Sequence, residues 1–200
     1  MSRPDSSNQL RIIGGQWRGR KLRFADGRGL RPTPDRVRET LFNWLMPIMN
    51  GARCLDLFTG SGALGLEALS RGASEVVMID NNPRVIAQLR ENISLLGTSS
   101  AQLVQADGLK WLQQQSSEPF DIVFLDPPYA DKVMVDCIKS LEESAWLKKE
   151  AWIYMEFPSH EALPELPVNW QWYRNRQAGQ VGYHLAHRQV NQKQLELTNS

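Results

Sequence analysis

Apolar and polar positions along this chain switch between a period of two and a period near 3.6, which predicts alternating strands and helices. After a polar stretch, residues 1–9, the segment 10–24 reads as a short hairpin, Leu10–Ile13 and Lys21–Phe24, with Gly14, Gly15 and Gly19 between. Thr33 then stands as a helix cap with Pro34 at the first helical position. Val37, Leu41, Trp44 and Leu45 form that helix's inward stripe, leaving Arg31 and Arg36 on the wet side and Arg38 facing away from Val37. The core repeat follows: strand 53–57, helix 62–70, strand 75–80, helix 83–96, strand 102–106, helix 108–115, strand 120–125, helix 132–146 and strand 151–157. Asn82 caps the helix at 83, whose Ile86, Leu89 and Ile93 face inwards. Residues 158–169, with Pro158, Pro164 and Pro167, read as a connecting loop, and Trp170–Arg176 with Val181–His187 as a closing β-hairpin. Such alternation predicts an α/β fold: a mainly parallel, doubly wound sheet with an antiparallel end. The expected organisation is a flexible tail at 1–9, a basic extension at 10–45, an α/β domain at 46–188 and a second tail at 189–200.

Composition narrows the partners. With 200 residues, 42% of them hydrophobic, the chain can build one full-sized core and a small extension. Its net charge is only +1, but residues 1–40 hold ten Arg and Lys against four Asp and Glu, and the other 160 hold 13 against 18. A basic head on a mildly acidic body suggests a polyanion gripped at one end. Arg11, Arg18, Arg20 and Lys21 flank Trp17 on the hairpin, and Arg31 and Arg36 follow, a pattern suited to phosphate contacts. Trp17 reads equally as a stacking surface for a base and as filler of the hairpin core. Cys54 and Cys137 lie in apolar segments and read as buried thiols of a reducing cytosol. His160, His184 and His187 lack partners at ligand spacing, so no metal site is expected. No apolar run resembles a signal peptide or membrane span, so a soluble cytoplasmic protein is expected, and nothing suggests an obligate dimer.

Two segments carry chemistry. In the first, the strand ending at Asp56 runs into Gly60, Gly62 and Gly65, a G-x-G-x-x-G pattern, and Asp80 follows twenty residues after Gly60. That pattern alone suggests a dinucleotide. Asp56, however, would sit badly near a pyrophosphate and well near an ammonium or sulfonium, which points to S-adenosylmethionine. The second is Asp126-Pro127-Pro128-Tyr129, closing the apolar run 121–125. Prolines stiffen the chain and hold the preceding residues extended. The Asp126 carboxylate and the Pro127 carbonyl can then accept both hydrogens of an exocyclic amine while Tyr129 stacks on the ring.

The glycine loop, Asp80, Asp107 and the 126–129 tetrapeptide together resemble class I S-adenosylmethionine-dependent amino-methyltransferases. The segments 11–22 and 31–44 resemble more narrowly the bacterial RsmD family, which methylates a guanine N2 in small-subunit ribosomal RNA; the likeness spans about residues 10–188. It implies a Rossmann-like methyltransferase fold in which Asp80 takes the ribose hydroxyls and Asp56 lies near the methionine ammonium. Asp107 would accept from the adenine amine, Gly60 and Gly62 would let the cofactor lie against backbone, and Asn81 and Gly108 would be second contacts. Asp126, Pro127 and Tyr129 would hold the base. An amino-methyltransferase acting on another RNA or on a DNA adenine or cytosine shares the tetrapeptide, and a nicotinamide-dependent oxidoreductase or an idle RNA-binding protein shares the rest.

Overall fold

In the computed structural model, which describes residues 8–25, 32–114, 118–128 and 133–189, period-two runs form strands and 3.6-period runs form helices. Most of both expected tails, along with Arg31 and Tyr129, lies outside the described residues. The chain divides into two compact units, residues 1–107 and 108–200.

In the first unit β1 (Gln9–Arg11) pairs antiparallel with β2 (Lys21–Arg23), setting Leu10 opposite Leu22. There follow α1 (Asp35–Met49), β3 (Arg53–Asp56), α2 (Ala63–Ser70), β4 (Glu75–Asp80), α3 (Pro83–Leu96) and β5 (Ala101–Gln105). β4 pairs parallel with both β3 and β5, so the carboxyl ends of the three strands point the same way. Cys54, Leu55, Val76, Val77, Met78 and Ile79 are all buried, as strands covered on both faces require. The Asn82 side chain accepts from the Arg84 N–H at 2.9 Å, and Gly97, at φ 66°, closes α3.

The helix α1 departs from expectation at its start and on its face. It begins at Asp35, and the Thr33 side chain makes no cap; the Pro34 carbonyl instead accepts from the N–H groups of Val37 and Arg38. Its buried face is Val37, Arg38, Leu41, Phe42, Leu45 and Met49, while Trp44 is half-buried. Arg38, expected to face away from the core stripe, is 1% exposed. Its guanidinium is buried because acceptors surround it: the carbonyls of Thr33 (3.1 Å) and Arg11 (2.9 Å), Asp35 (2.5 Å) and, more loosely, Glu67 (3.4 Å).

Glu67, fully buried on α2, joins this cluster to the head. It accepts from the Ile13 N–H at 2.9 Å and from Arg71 Nε at 2.7 Å. Segment 13–17 lies directly on the end of α2: the Gln16 N–H donates to the Ser70 carbonyl (2.8 Å), the Trp17 N–H to Ser70 Oγ (3.0 Å), and Ser70 Oγ–H to the Gly14 carbonyl (2.6 Å). A helix end with orphan carbonyls is thereby capped by a distant segment. Gly15 has φ +73° and a Cβ there would fall 1.8 Å from the Ser70 oxygen, so only glycine permits the approach.

The second unit holds α4 (Gly108–Leu112), β6 (Phe120–Leu125), α5 (Met134–Glu143), β7 (Leu147–Pro158), β8 (Trp170–Ala178) and β9 (Val181–Gln189). β6 and β7 are parallel, and β9 runs antiparallel to both β7 and β8. The larger sheet has the strand order β5-β4-β3-β6-β7-β9-β8. It is the mainly parallel sheet with an antiparallel end that the alternation predicts. α5 stops at Glu143 and β7 starts at Leu147, where the sequence suggests a helix to 146 and a strand from 151. The polar run Lys148-Lys149-Glu150 hides that start, because Leu147 pairs with Phe120 and Glu150 with Gln189.

Among the described residues no helix is long and apolar enough to cross a membrane, and no group of three His, Cys, Asp or Glu could hold a metal. Cys54 and Cys137 are buried. His184 and His187 are buried on β9, and His160 is exposed. The His184 ring stacks on Phe157 at 4.4 Å, Nδ1 lies 2.8 Å from Asn175 Oδ1, and Nε2 is buried without a hydrogen-bond partner. Burial pushes its pKa down to about 4 from 6.5. The unfolded chain therefore takes up the proton first, so this contribution to stability is complete above pH 6.5 and is lost as pH falls towards 4. His184→Phe should flatten the stability profile across that window in denaturant melts; an unchanged slope would contradict the assignment.

Candidate active site

Every acid singled out in the sequence stands at a strand's carboxyl end. Asp56 ends β3, Asp80 ends β4, Asp107 lies two residues past β5, and Asp126 directly follows β6. In parallel α/β sheets this end of the strands is where ligands sit.

In the first unit the acids shape the glycine turn. Asp56 is 2% exposed, and its Oδ2 accepts from the Thr59 hydroxyl at 3.0 Å and from the Gly65 N–H at 2.9 Å. One carboxylate oxygen thus ties the strand end to the turn and to the first turn of α2. Burial, aided by the charge of Asp80 and opposed by these two hydrogen bonds, raises its pKa to about 7. Asp80 closes the other side: Oδ2 accepts from the Gly60 N–H at 3.0 Å and Oδ1 from the Asn82 N–H at 2.8 Å. Burial raises its pKa as well, against the pull of those two N–H groups.

The three glycines do different work. Gly60 (φ 48°) and Gly62 (φ 80°) take the left-handed backbone the turn needs. A Cβ on Gly62 would meet Leu89 Cδ2 at 2.5 Å, a side-chain end that can swing aside, so it is the left-handed backbone that reserves this position for glycine. A Cβ on Gly65 would meet Met78 Cε at 2.8 Å and Asp56 Oδ2 at 3.0 Å, so α2 lies close on β4 and a side chain there would displace both. Thr59, Ser61 and Asp56 are all buried beneath the turn. Asn81 and Asp107 are exposed and Gly108 is buried. The residues fit a nucleoside: each oxygen of the Asp80 carboxylate has a second lone pair beyond its backbone bond, so a pair of ribose hydroxyls can be received.

In the second unit Asp126 is half-buried, Pro127 buried and Pro128 exposed. In the register of β6 with β7, Leu125 pairs with Met155, which sets Asp126 level with Glu156. Glu156 is 3% exposed and accepts from the Tyr154 hydroxyl at 2.8 Å. Burial, the Glu156 charge and hydrogen bond, and more weakly the Asp126 charge hold the Tyr154 phenol well above its ordinary pKa, so it stays a donor. Sequence reasoning missed Thr59, Tyr154 and Glu156; the alternation Tyr154-Met155-Glu156, with an acid at the end of a buried strand, is the signal that points to the last two. A depression lined by Pro119, Asp121, Leu147 and Lys148 opens at the amino-terminal end of β6, opposite Asp126, and takes no part in the site.

The head offers fewer free groups than its charge suggests. Trp17 is 8% exposed and fills the core of the head, so it offers no stacking face to a base. Arg11 is paired with Asp35 at 2.7 Å, and Arg20 donates to the Leu95 carbonyl at 3.1 Å. Burial of Asp35 is outweighed by Arg11 and Arg38, which together hold its carboxyl below the usual range. Arg18, Lys21 and Arg36 are exposed, as are the side chains of Arg11 and Arg20.

The chain is similar to known proteins over nearly its whole length. A family described as Conserved hypothetical protein 95 matches residues 10–187. Ribosomal RNA small subunit methyltransferase D of Escherichia coli (strain K12) is 48% identical over 192 residues, covering 95% of this chain and 96% of that protein. Its namesake in Haemophilus influenzae is 44% identical, covering 91% and 95%. The solved structure of yhhF from Escherichia coli superposes with a TM-score of 0.85 at 49% identity, covering 92% of this chain and 99% of that one.

The raised pKa of Asp56 has a measurable sign. The folded chain holds the proton up to about pH 7 whereas the unfolded chain releases it near 3.8, so stability falls as pH rises between them. Asp56→Asn removes the titration, and the stability difference between variant and parent should drift in the variant's favour by at most about 1.4 kcal/mol per pH unit across that window. A difference that stays flat from pH 4.5 to 7 in urea melts would show that Asp56 titrates normally.

Proposed function

The chain belongs to the RsmD family, and from that membership we propose that it transfers a methyl group from S-adenosylmethionine to the exocyclic N2 amine of a guanine in small-subunit ribosomal RNA. Its sheet is that of a class I, Rossmann-like methyltransferase. The observation that carries the proposal is near-complete coverage at 48% identity with a protein named ribosomal RNA small subunit methyltransferase D. The acid-and-proline segment after β6 supports the amine as acceptor and the two-sided Asp80 carboxylate supports a nucleoside donor.

Bound S-adenosylmethionine supplies an electrophilic methyl on a sulfonium. In this reading Asp80 receives the ribose hydroxyls, Asp56 braces the turn beside the methionine end, and Asp107, with Asn81 and Gly108, borders the adenine. A guanine N2 is a poor nucleophile because its lone pair is delocalised into the ring. Asp126 and the Pro127 carbonyl accept its two hydrogens, favour the geometry in which the lone pair is free to attack, and stabilise the positive charge that develops on nitrogen. The amine needs no strong base beforehand, since its proton becomes acidic only as the new bond forms. Tyr129 gives the flipped base a face to stack on. Arg18, Arg20, Lys21, Arg31 and Arg36 hold phosphates, and Arg11, exposed but paired with Asp35, adds to them with its remaining N–H groups. The enzyme would work as a cytoplasmic monomer without a metal.

Two outcomes test these roles. Asp126→Ala should lower turnover by about a hundredfold or more while S-adenosylhomocysteine affinity stays within about tenfold; lost cofactor binding with normal turnover at saturation would contradict it. Reversing charge at Arg18 and Arg20 together should weaken RNA binding and reduce the salt dependence of log K by about two. An unchanged salt slope would remove the hairpin from the interface.

A further inference from the structure

Segment 169–189 contains three Arg, two His and no Asp or Glu, although the chain beyond residue 40 is acidic overall. It forms the sheet's terminal strands, β9 and, at the very edge, β8. The pairing slips between Trp172 and Arg174, so two residues of β8 stand against one of β9 at Tyr173. Such a bulge turns neighbouring side chains to one face. The contacts show the result: His187 stacks on Trp152 at 4.0 Å, Trp152 meets Tyr173 edge-on at 4.9 Å, and the Arg174 guanidinium lies 4.0 Å above the Tyr173 ring. Arg174 is fixed there by bonds to the Tyr173 carbonyl (3.1 Å) and hydroxyl (3.3 Å). Tyr173 is 41% exposed, and Arg174 and Arg176 are exposed.

This face is an ordered ladder of rings topped by a flat cation, and it leads towards the candidate site. Arg176 pairs with Tyr183, and Tyr183 with Glu156, the residue level with Asp126. Three strand spacings, about 14 Å, separate the Arg176 and Asp126 strands. Tyr173 is the exposed ring of this ladder, with Trp152 half-buried and His187 buried behind it; an exposed ring flanked by arginines suits single-stranded RNA, whose bases stack on aromatic or guanidinium planes and whose phosphates need cations. The exposed Glu150 acts on His187, at the end of this face away from Arg176.

We propose that the Tyr173–Arg174–Arg176 face of β8 is a second RNA-binding surface, holding the single strand that flanks the base presented to Asp126. The inference rests on the RNA-methyltransferase reading above and adds a contact outside the basic head. Its test is binding of a fluorescent single-stranded RNA and methyl transfer to small-subunit rRNA, each across a salt series, for the parent, Arg174→Ala, Arg176→Ala, their double variant and Tyr173→Ala. The arginine double variant should bind at least tenfold more weakly, with a log K against log salt slope smaller by about 1.5. Tyr173→Ala should weaken binding several-fold with the slope unchanged, since stacking releases no counterions. S-adenosylhomocysteine affinity should match the parent in all of them, which also reports correct folding. Parent-like RNA affinity and slope in every variant would overturn the proposal, including where this edge proves instead to pair with a strand of another protein. If the parent itself methylates no rRNA, the reading of function fails; if it does and the variants match it, only this surface fails.

Discussion

The buried carboxylate of Asp56 fixes the geometry of the glycine turn between β3 and α2. Its Oδ2 receives the Thr59 hydroxyl and the Gly65 N–H, which joins the end of β3 to the glycine turn and to the opening of α2. Burying an acid costs solvation, and its raised pKa is the record of that cost. The turn is held from both sides, because Asp80 takes the Gly60 N–H from the end of β4. Gly62 and Gly65 complete the arrangement by letting Leu89, Met78 and Asp56 approach closely. The backbone of the turn is therefore held by side chains of the protein itself, from both flanking strands.

The same helix anchors the basic head. Glu67 reaches Arg38 and Arg71, and receives the Ile13 N–H, while Ser70 receives the backbone of 16 and 17. The head is thus bound to α2, the helix that the glycine turn opens into. A basic hairpin and a glycine turn built on the two ends of one helix share a rigid reference, which is what positioning-based catalysis would draw on under the proposed function.

Much of this was legible from residue order. The strands and helices of the core repeat follow the hydrophobic period, and β6 spans 120–125 as the pattern predicts. Asp80 is found by its spacing from Gly60, a consequence of one strand-turn-helix-strand unit. What the sequence hides are groups whose partners lie far along the chain. Arg38 reads as a surface residue because its acceptors come from positions 11, 33, 35 and 67. Trp17 sits in a basic, glycine-rich stretch that invites an RNA role, yet the approach of that stretch to Ser70 buries it. Gly62 looks like a ligand glycine, and its left-handed backbone in the turn already calls for one. The start of β7 depends on pairing with β6 and β9, and the Tyr173 bulge on pairing with β9, which no local pattern encodes.

Nucleoside mass spectrometry decides whether the acid-and-proline segment serves an amine on guanine. Small-subunit rRNA lacking modifications would be incubated with the chain and S-adenosylmethionine carrying a deuterated methyl, then digested. Label should appear as N2-methylguanosine and vanish with Asp126→Ala. Label on a ring nitrogen or a ribose, or none with folded protein and intact RNA, would contradict the reading.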